Sequence, residues 1–242
     1  MNKLLALACI VGFLISCRQE TVTLSVTSPG KINTIDFHLS ADGEPTYLVS
    51  HNEKVIIDAS SMGFDFKDQK ALKDNLKILS SEKKAVYKTW EMPWGEQKEV
   101  VNNYNELMIA LEENSAPHRK INLYFRAYDD GIGFRYEFLP QQGVDSLVII
   151  DENTEFQLTE DYTTWWIPGD WDIYEHLYNT TKLSEIDATT KRNNPNLAQT
   201  YIPENAVNTP VTMRGIDGIH LSFHEANLTD YAGMTLKVDT TS

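Results

Sequence analysis

From Thr21 onward, apolar and polar residues alternate in short runs, and turn residues stop each run. Residues 21–26 alternate until Ser28-Pro29-Gly30 interrupts them. Ile35, Phe37 and Leu39 then fall on one side of an extended segment that ends at Ala41-Asp42-Gly43-Glu44-Pro45, a turn with Asp-Gly at its centre. Tyr47 and Val49 resume the alternation, and residues 54–58 form the next apolar run. A period of two broken by Gly, Asp and Pro predicts antiparallel hairpins. The clearest one covers residues 121–139. Ile121, Leu123, Phe125 and Ala127 share one face, and Asn122, Tyr124, Arg126 and Tyr128 share the other. Phe134, Tyr136 and Phe138 continue its return strand, and Asp130-Gly131 is expected to supply a positive-φ turn.

Other stretches are less regular. Within residues 68–79, Leu72, Leu76 and Leu79 have roughly helical spacing, a weak helical signal that does not define a domain. Residues 92–107 read as a polar loop entering a strand. Residues 182–202 are rich in Asn, Thr and Pro, the composition of a long excursion over a sheet face. Many short strands without a strand–helix rhythm predict an all-β, antiparallel β-sandwich over residues 21–242. The same pattern leaves no room within these residues for a Rossmann domain or a complete (β/α)8 barrel.

Charge and the N-terminus narrow the possibilities further. The net charge of −14 and the lack of a Lys/Arg stripe exclude nucleic acid as a partner. Residues 4–15 form an apolar run after Lys3, too short for a membrane span but of signal-peptide proportions. Leu14-Ile15-Ser16-Cys17 resembles a bacterial lipobox. Residues 1–20 are therefore expected to be a lipoprotein signal and short tether, with cleavage before Cys17 and lipidation of its sulfur. The expected location is the bacterial cell envelope, in the periplasm or at the outer membrane, held by that lipid anchor.

Candidate chemistry is concentrated in three places. Residues 220–231 read HLSFHEANLTDY, with His224 beside Glu225. A zinc-protease His-Glu-x-x-His helix would need a second histidine at position 228, which is Leu228, and the segment alternates like a strand. Residues 162–178, YTTWWIPGDWDIYEHLY, mix aromatics with Asp170, Asp172 and Glu175. Glycosidases flank a sugar with two carboxylates, but Asp170 and Asp172 are too close in sequence to frame a sugar by themselves. Trp165, Trp166 and Trp171 are expected to fill core or to bury against a partner domain. His176, Ser184 and Asp187 could be written as a hydrolase triad, yet no G-x-S-x-G elbow supports them.

Four ordered stretches resemble a known family. They are W-G-E-x-K-E-x-x-N-x-Y-N-E-L from Trp94, F-R-x-x-x-D-G-x-G-F-R-Y-E-F from Phe125, W-I-P-G-D from Trp166 and H-E-A-x-L-x-D-Y from His224. In this order they are similar to the N-terminal domain of glycoside hydrolase family 97, the Bacteroidetes α-glucosidases and α-galactosidases. The resemblance implies a β-super-sandwich similar to galactose mutarotase, followed by a (β/α)8 barrel that carries the catalytic carboxylates. The chain is thus expected to be a fragment or truncated product, inactive by itself and without catalytic residues. The resemblance also implies that Glu225 reaches into the barrel's site as a calcium ligand, the other ligands coming from the barrel, and that the sugar is an α-linked oligosaccharide or an α-galactoside. Calcium takes about 6–8 oxygen ligands, so one glutamate cannot form the shell, and imidazole suits it poorly, which leaves His224 structural. The alternative is a free-standing carbohydrate-binding lipoprotein that stacks sugars on the tryptophans of residues 165–171. An aldose mutarotase is disfavoured because no matched His and Glu pair is found.

Overall fold

The computed structural model describes residues 21–141, 144–190 and 200–239. Cys17 lies outside the described residues. Strand makes up 53% of the described residues and helix 1%, so the all-β expectation holds. The chain divides into two compact units, residues 21–48 with 59–155 and residues 49–58 with 156–239.

The first ten strands are β1 (Val22–Thr27), β2 (Asn33–Leu39), β3 (Pro45–His51), β4 (Lys54–Ser61), β5 (Phe64–Phe66), β6 (Leu76–Glu91), β7 (Glu99–Glu113), β8 (Lys120–Ala127), β9 (Ile132–Phe138) and β10 (Ile149–Glu152). In the first unit, β1 and β2 pair antiparallel with Val26 opposite Ile35. Strands β6 to β9 form an antiparallel meander in chain order. Strands β1 and β2 pack on β7 and β8, making a sandwich. The alternation predicted from sequence fills its interior. Ile35, Phe37, Leu39 and Tyr47 from one sheet meet Leu107, Ile109, Leu123 and Phe125 from the other, all buried. Each such side chain contributes about 1.5–3 kcal/mol relative to exposure. The Phe37 and Phe125 rings lie 6.0 Å apart, and Phe64 meets Tyr136 edge-on at 4.6 Å.

Two local expectations are corrected and a third holds. Residues 68–79 contain no helix. Leu72 bridges Phe64 as extended chain, and Leu76 opens β6. Burial against the Phe64 aromatic cluster outweighs a weak helical spacing. The β8–β9 connection has no positive φ at residues 128–131, because its four residues close with the Tyr128 N–H donating to the Gly131 carbonyl at 2.9 Å. Residues 92–98 are the expected polar loop entering a strand, here the tip of a long β6–β7 hairpin. Strand β8 pairs with β7 only from Asn105 to Glu112, so the outer part of that hairpin is a two-stranded ribbon.

Asp42-Gly43 forms the predicted turn. Gly43 has φ +78°, and a Cβ there would lie 2.2 Å from the Leu76 backbone nitrogen. Gly43→Ala is therefore expected to cost on the order of 2–3 kcal/mol. Urea unfolding checks this, and a cost within error of zero would contradict the packing.

The second unit contains β11 (Gln157–Leu158), β12 (Thr163–Trp166), β13 (Asn179–Lys182), β14 (Ala206–Asn208), β15 (Val211–Arg214), β16 (His220–Phe223) and β17 (Thr235–Lys237). One sheet has the order β13-β12-β15-β16, and β14 pairs with β17. Tyr162, Trp166, Ile186, Val207, Val211 and Met213 form its core, with Leu221, Phe223 and Leu236 packed against them. No described helix is long and apolar enough to cross a membrane.

Candidate functional site

Strands β15 and β16 pair antiparallel, with Val211 opposite Phe223 and Arg214 opposite His220. Gly218, at φ +87°, lets the connection turn back tightly. The strand ends at Phe223, so His224 and Glu225 leave the sheet together. The sequence pattern extended the strand past this point, and the ladder stops short of the charged pair. His224 is exposed, and its Nδ1 lies 3.1 Å from the Glu225 carbonyl oxygen. This is a local contact rather than a ligand arrangement.

Glu225 is half-buried, and both carboxylate oxygens are held. Oε1 accepts from the Met234 N–H, and Oε2 accepts from the Thr209 hydroxyl at 3.2 Å. Thr209 is itself buried, and its hydroxyl also lies 3.0 Å from the Met234 carbonyl. A Cβ built on Gly233 would sit 3.9 Å from Glu225 Oε1 and 4.0 Å from the Tyr174 hydroxyl oxygen, so Glu225 and Tyr174 border the same small backbone segment. Among the described residues, no group of three or more His, Cys, Asp or Glu side chains is placed to hold a metal. One carboxylate with a threonine hydroxyl beside it falls well short of the 6–8 oxygens calcium prefers. These residues suit calcium as a single ligand and do not form a complete site.

The neighbouring W-I-P-G-D segment is structural. Asp170 is buried, which by itself would raise its carboxyl. The N–H of Asp172, the hydroxyl and N–H of Thr200, and the N–H of Ile173 outweigh burial and lower it to about 2. His176 Nε2 lies 3.2 Å from Asp170 Oδ2. Asn208 accepts from the Asp170 N–H at 3.3 Å and donates to the Ile173 carbonyl at 3.4 Å. A carboxylate receiving this many donors is committed to holding its loop, and it is poorly suited to act as a general acid near neutral pH.

The paper triad is not assembled. Ser184 donates to Asp161 at 2.9 Å, Asp187 accepts from Thr189, and His176 contacts Asp170. The three tryptophans also separate. Trp166 is in the core, Trp165 lies under the Arg214 guanidinium at 6.0 Å, and Trp171 is 68% exposed. Trp171, Tyr174, Leu177 and Tyr178 are all more than half exposed within one eight-residue stretch. Leu228 and Tyr231, on the other side of Glu225 in sequence, are about half exposed. So many large apolar side chains in the open mark an interaction surface.

Sequence reasoning missed Thr200, Asn208 and Thr209. Their only signal is composition, small polar residues at strand ends and in a loop, and that signal does not say which carboxylate they will hold. Part of the predicted excursion, residues 191–199, lies outside the described residues.

Comparison with known proteins places this arrangement. The family model described as Glycosyl-hydrolase 97 N-terminal matches residues 26–242. The chain belongs to glycoside hydrolase family 97. It is an N-terminal domain of that family. It is 23% identical to the retaining alpha-galactosidase of Bacteroides thetaiotaomicron, over 98% of this chain and 33% of that protein. Among solved structures, it is similar to a family 97 enzyme of Pseudoalteromonas sp. strain K8 in complex with panose. The TM-score is 0.77 and the identity 33%, over 88% of this chain and 30% of that one. The same enzyme in complex with acarbose matches equally. The chain therefore spans about a third of the length of these relatives.

Proposed function

We propose that this domain caps and shapes the α-glycoside site of a family 97 hydrolase and lends Glu225 to a calcium ion shared with the catalytic part of the enzyme. The observation that carries this reading is the state of Glu225. It is a half-exposed carboxylate just past a strand end, oriented by Met234 and Thr209 and flanked by Tyr174. A fixed, single carboxylate beside an exposed aromatic surface is what a domain offers when the rest of the coordination shell lies elsewhere. The similarity to an alpha-galactosidase and to an enzyme that binds panose and acarbose supports an α-linked oligosaccharide or an α-galactoside as the sugar. When bound, calcium would supply Lewis-acid and electrostatic stabilisation at the sugar. Glu225 would hold it by one charged oxygen pair, with Thr209 fixing that carboxylate's orientation. The lipobox-like Leu14-Ile15-Ser16-Cys17 supports tethering of the mature chain to an envelope membrane through Cys17.

Calorimetry tests the shared site. The chain by itself should bind calcium no more tightly than on the order of 10⁻³ M, the weak end for extracellular sites. In a full-length family member, changing the glutamate that matches Glu225 to glutamine should weaken calcium and lower sugar hydrolysis while leaving the melting temperature unchanged. Tight, Glu225-dependent binding by this chain alone would mean the site is complete here, and the proposal would fail. A second reading, a free-standing carbohydrate-binding lipoprotein, draws on the exposed Trp171. It requires saturable quenching of Trp171 fluorescence by α-linked oligosaccharides in this chain without any partner.

A further inference from the structure

The geometry points to a second copy of this chain as the partner of the β6 edge, in a two-fold antiparallel pairing centred on Ala85 that does not depend on the proposed calcium role. Strand β6 is the outer strand of its sheet, and β7 is its neighbour there. At 16 residues it is unusually long, and between Leu79 and Glu91 every residue except Val86 is exposed. An exposed strand edge carries a row of backbone donors and acceptors ready to pair with another strand. Lysines are the usual means of blocking such an edge, and β6 carries Lys83, Lys84 and Lys88.

Their arrangement allows pairing rather than preventing it. The exposed stretch is symmetric about Ala85, so a two-fold axis there overlaps its whole length. In that register Glu82 of one copy stands opposite Lys88 of the other, and the pair occurs twice. Ser81 faces Thr89 and Ser80 faces Trp90, while Lys83 lies opposite Tyr87, whose ring can carry its alkyl stem. No like charges face each other. Lys84, opposite Val86, is already committed to Glu106 at 2.6 Å, and Arg126 completes that cluster at 2.6 Å from the same carboxylate. Moving the axis to Lys84 would set the two Lys84 side chains against each other, and moving it to Val86 would set Lys84 against Lys88 twice. Opposite charges across a strand pair stabilise it and like charges oppose it, so the Ala85-centred register is favoured. The interface is isologous, as two-fold dimers require.

Light scattering after size exclusion tests the mass of the full chain with Cys9 and Cys17 both changed to serine. A dimer is expected. Glu82→Lys should give the monomer, and Glu82→Lys with Lys88→Glu should restore the dimer, because the swap recreates both pairs. These side chains are exposed, so circular dichroism should be unchanged in all three. In the same background, Ala85→Cys should cross-link under copper phenanthroline, the oxidant removing two electrons and two protons from two thiols as the disulfide forms. Facing Cα atoms in an antiparallel pair lie about 4.5–5.5 Å apart, within disulfide range. Tyr87→Cys should not cross-link, since its symmetry mate is displaced by four residues, roughly 13 Å along the strand. A monomeric mass for the unaltered edge, or equal cross-linking at both positions, would overturn the proposal.

Discussion

Arg119→Leu is expected to destabilise the protein by about 3–5 kcal/mol, the largest effect of any single change considered for this chain. Arg119 and Glu113 form an ion pair almost fully removed from solvent, with NH2 to Oε1 at 2.7 Å and Nε to Oε2 at 2.7 Å. The same guanidinium donates to the Lys70 and Ala71 carbonyls and lies 5.1 Å from the Phe66 ring centre. It therefore ties residues 69–71 to the β7–β8 connection. Truncation would leave the Glu113 carboxylate buried without its counter-charge, and desolvation makes that costly. The double change Arg119→Leu with Glu113→Leu should recover much of the loss, because it removes both charges. Urea unfolding of the four proteins measures the coupling. A single-variant cost below about 1 kcal/mol would show that the pair is already hydrated.

Asp170→Ala should cost on the order of 3 kcal/mol and lower the melting temperature by roughly 10 °C. Its removal leaves the backbone N–H groups of Asp172, Ile173 and Thr200 without their acceptor. The exposed aromatic stretch that begins at Trp171 hangs from those same groups. Its contacts with the Glu225 region should loosen with it, seen as faster amide exchange over residues 171–178. The pH dependence follows from the direction of the shift. A carboxyl at about 2 in the folded protein is depressed below its ordinary value, so its contribution is present at pH above about 4. It is lost as pH falls from there toward 2, and amounts to about 2 kcal/mol. In Asp170→Asn that part of the acid sensitivity should disappear. An unchanged acid-unfolding midpoint would sink the assignment of Asp170 as the loop's anchor.

The hairpins of the first unit could be read from sequence because a half-buried strand must alternate. The residues expected on one face, from Ile35 to Leu39 and from Ile121 to Ala127, are the ones that fill the sandwich. Asp42-Gly43 was equally legible, since few residues other than glycine tolerate φ +78° against another backbone. The family was legible from four spaced motifs, and the match over residues 26–242 bears it out. Strand β6 was hidden because its outer residues face water on both sides, leaving no alternation to detect.

Sequence alone thus determined the fold class, the main core faces, the family and the choice of Glu225 as the residue to examine. Tertiary structure decided what the polar residues do. In the sequence Asp170 and Asp172 were only two carboxylates too close together to frame a sugar, and it is burial with converging donors from Thr200, Ile173 and Asp172 that makes Asp170 a structural anchor. Glu225 is oriented by Thr209 and Met234, which lie 16 and 9 residues away in the chain. The difference has a physical origin. Apolar burial is set by a local period that each strand repeats, whereas a hydrogen-bond acceptor is defined by donors that only folding brings to it.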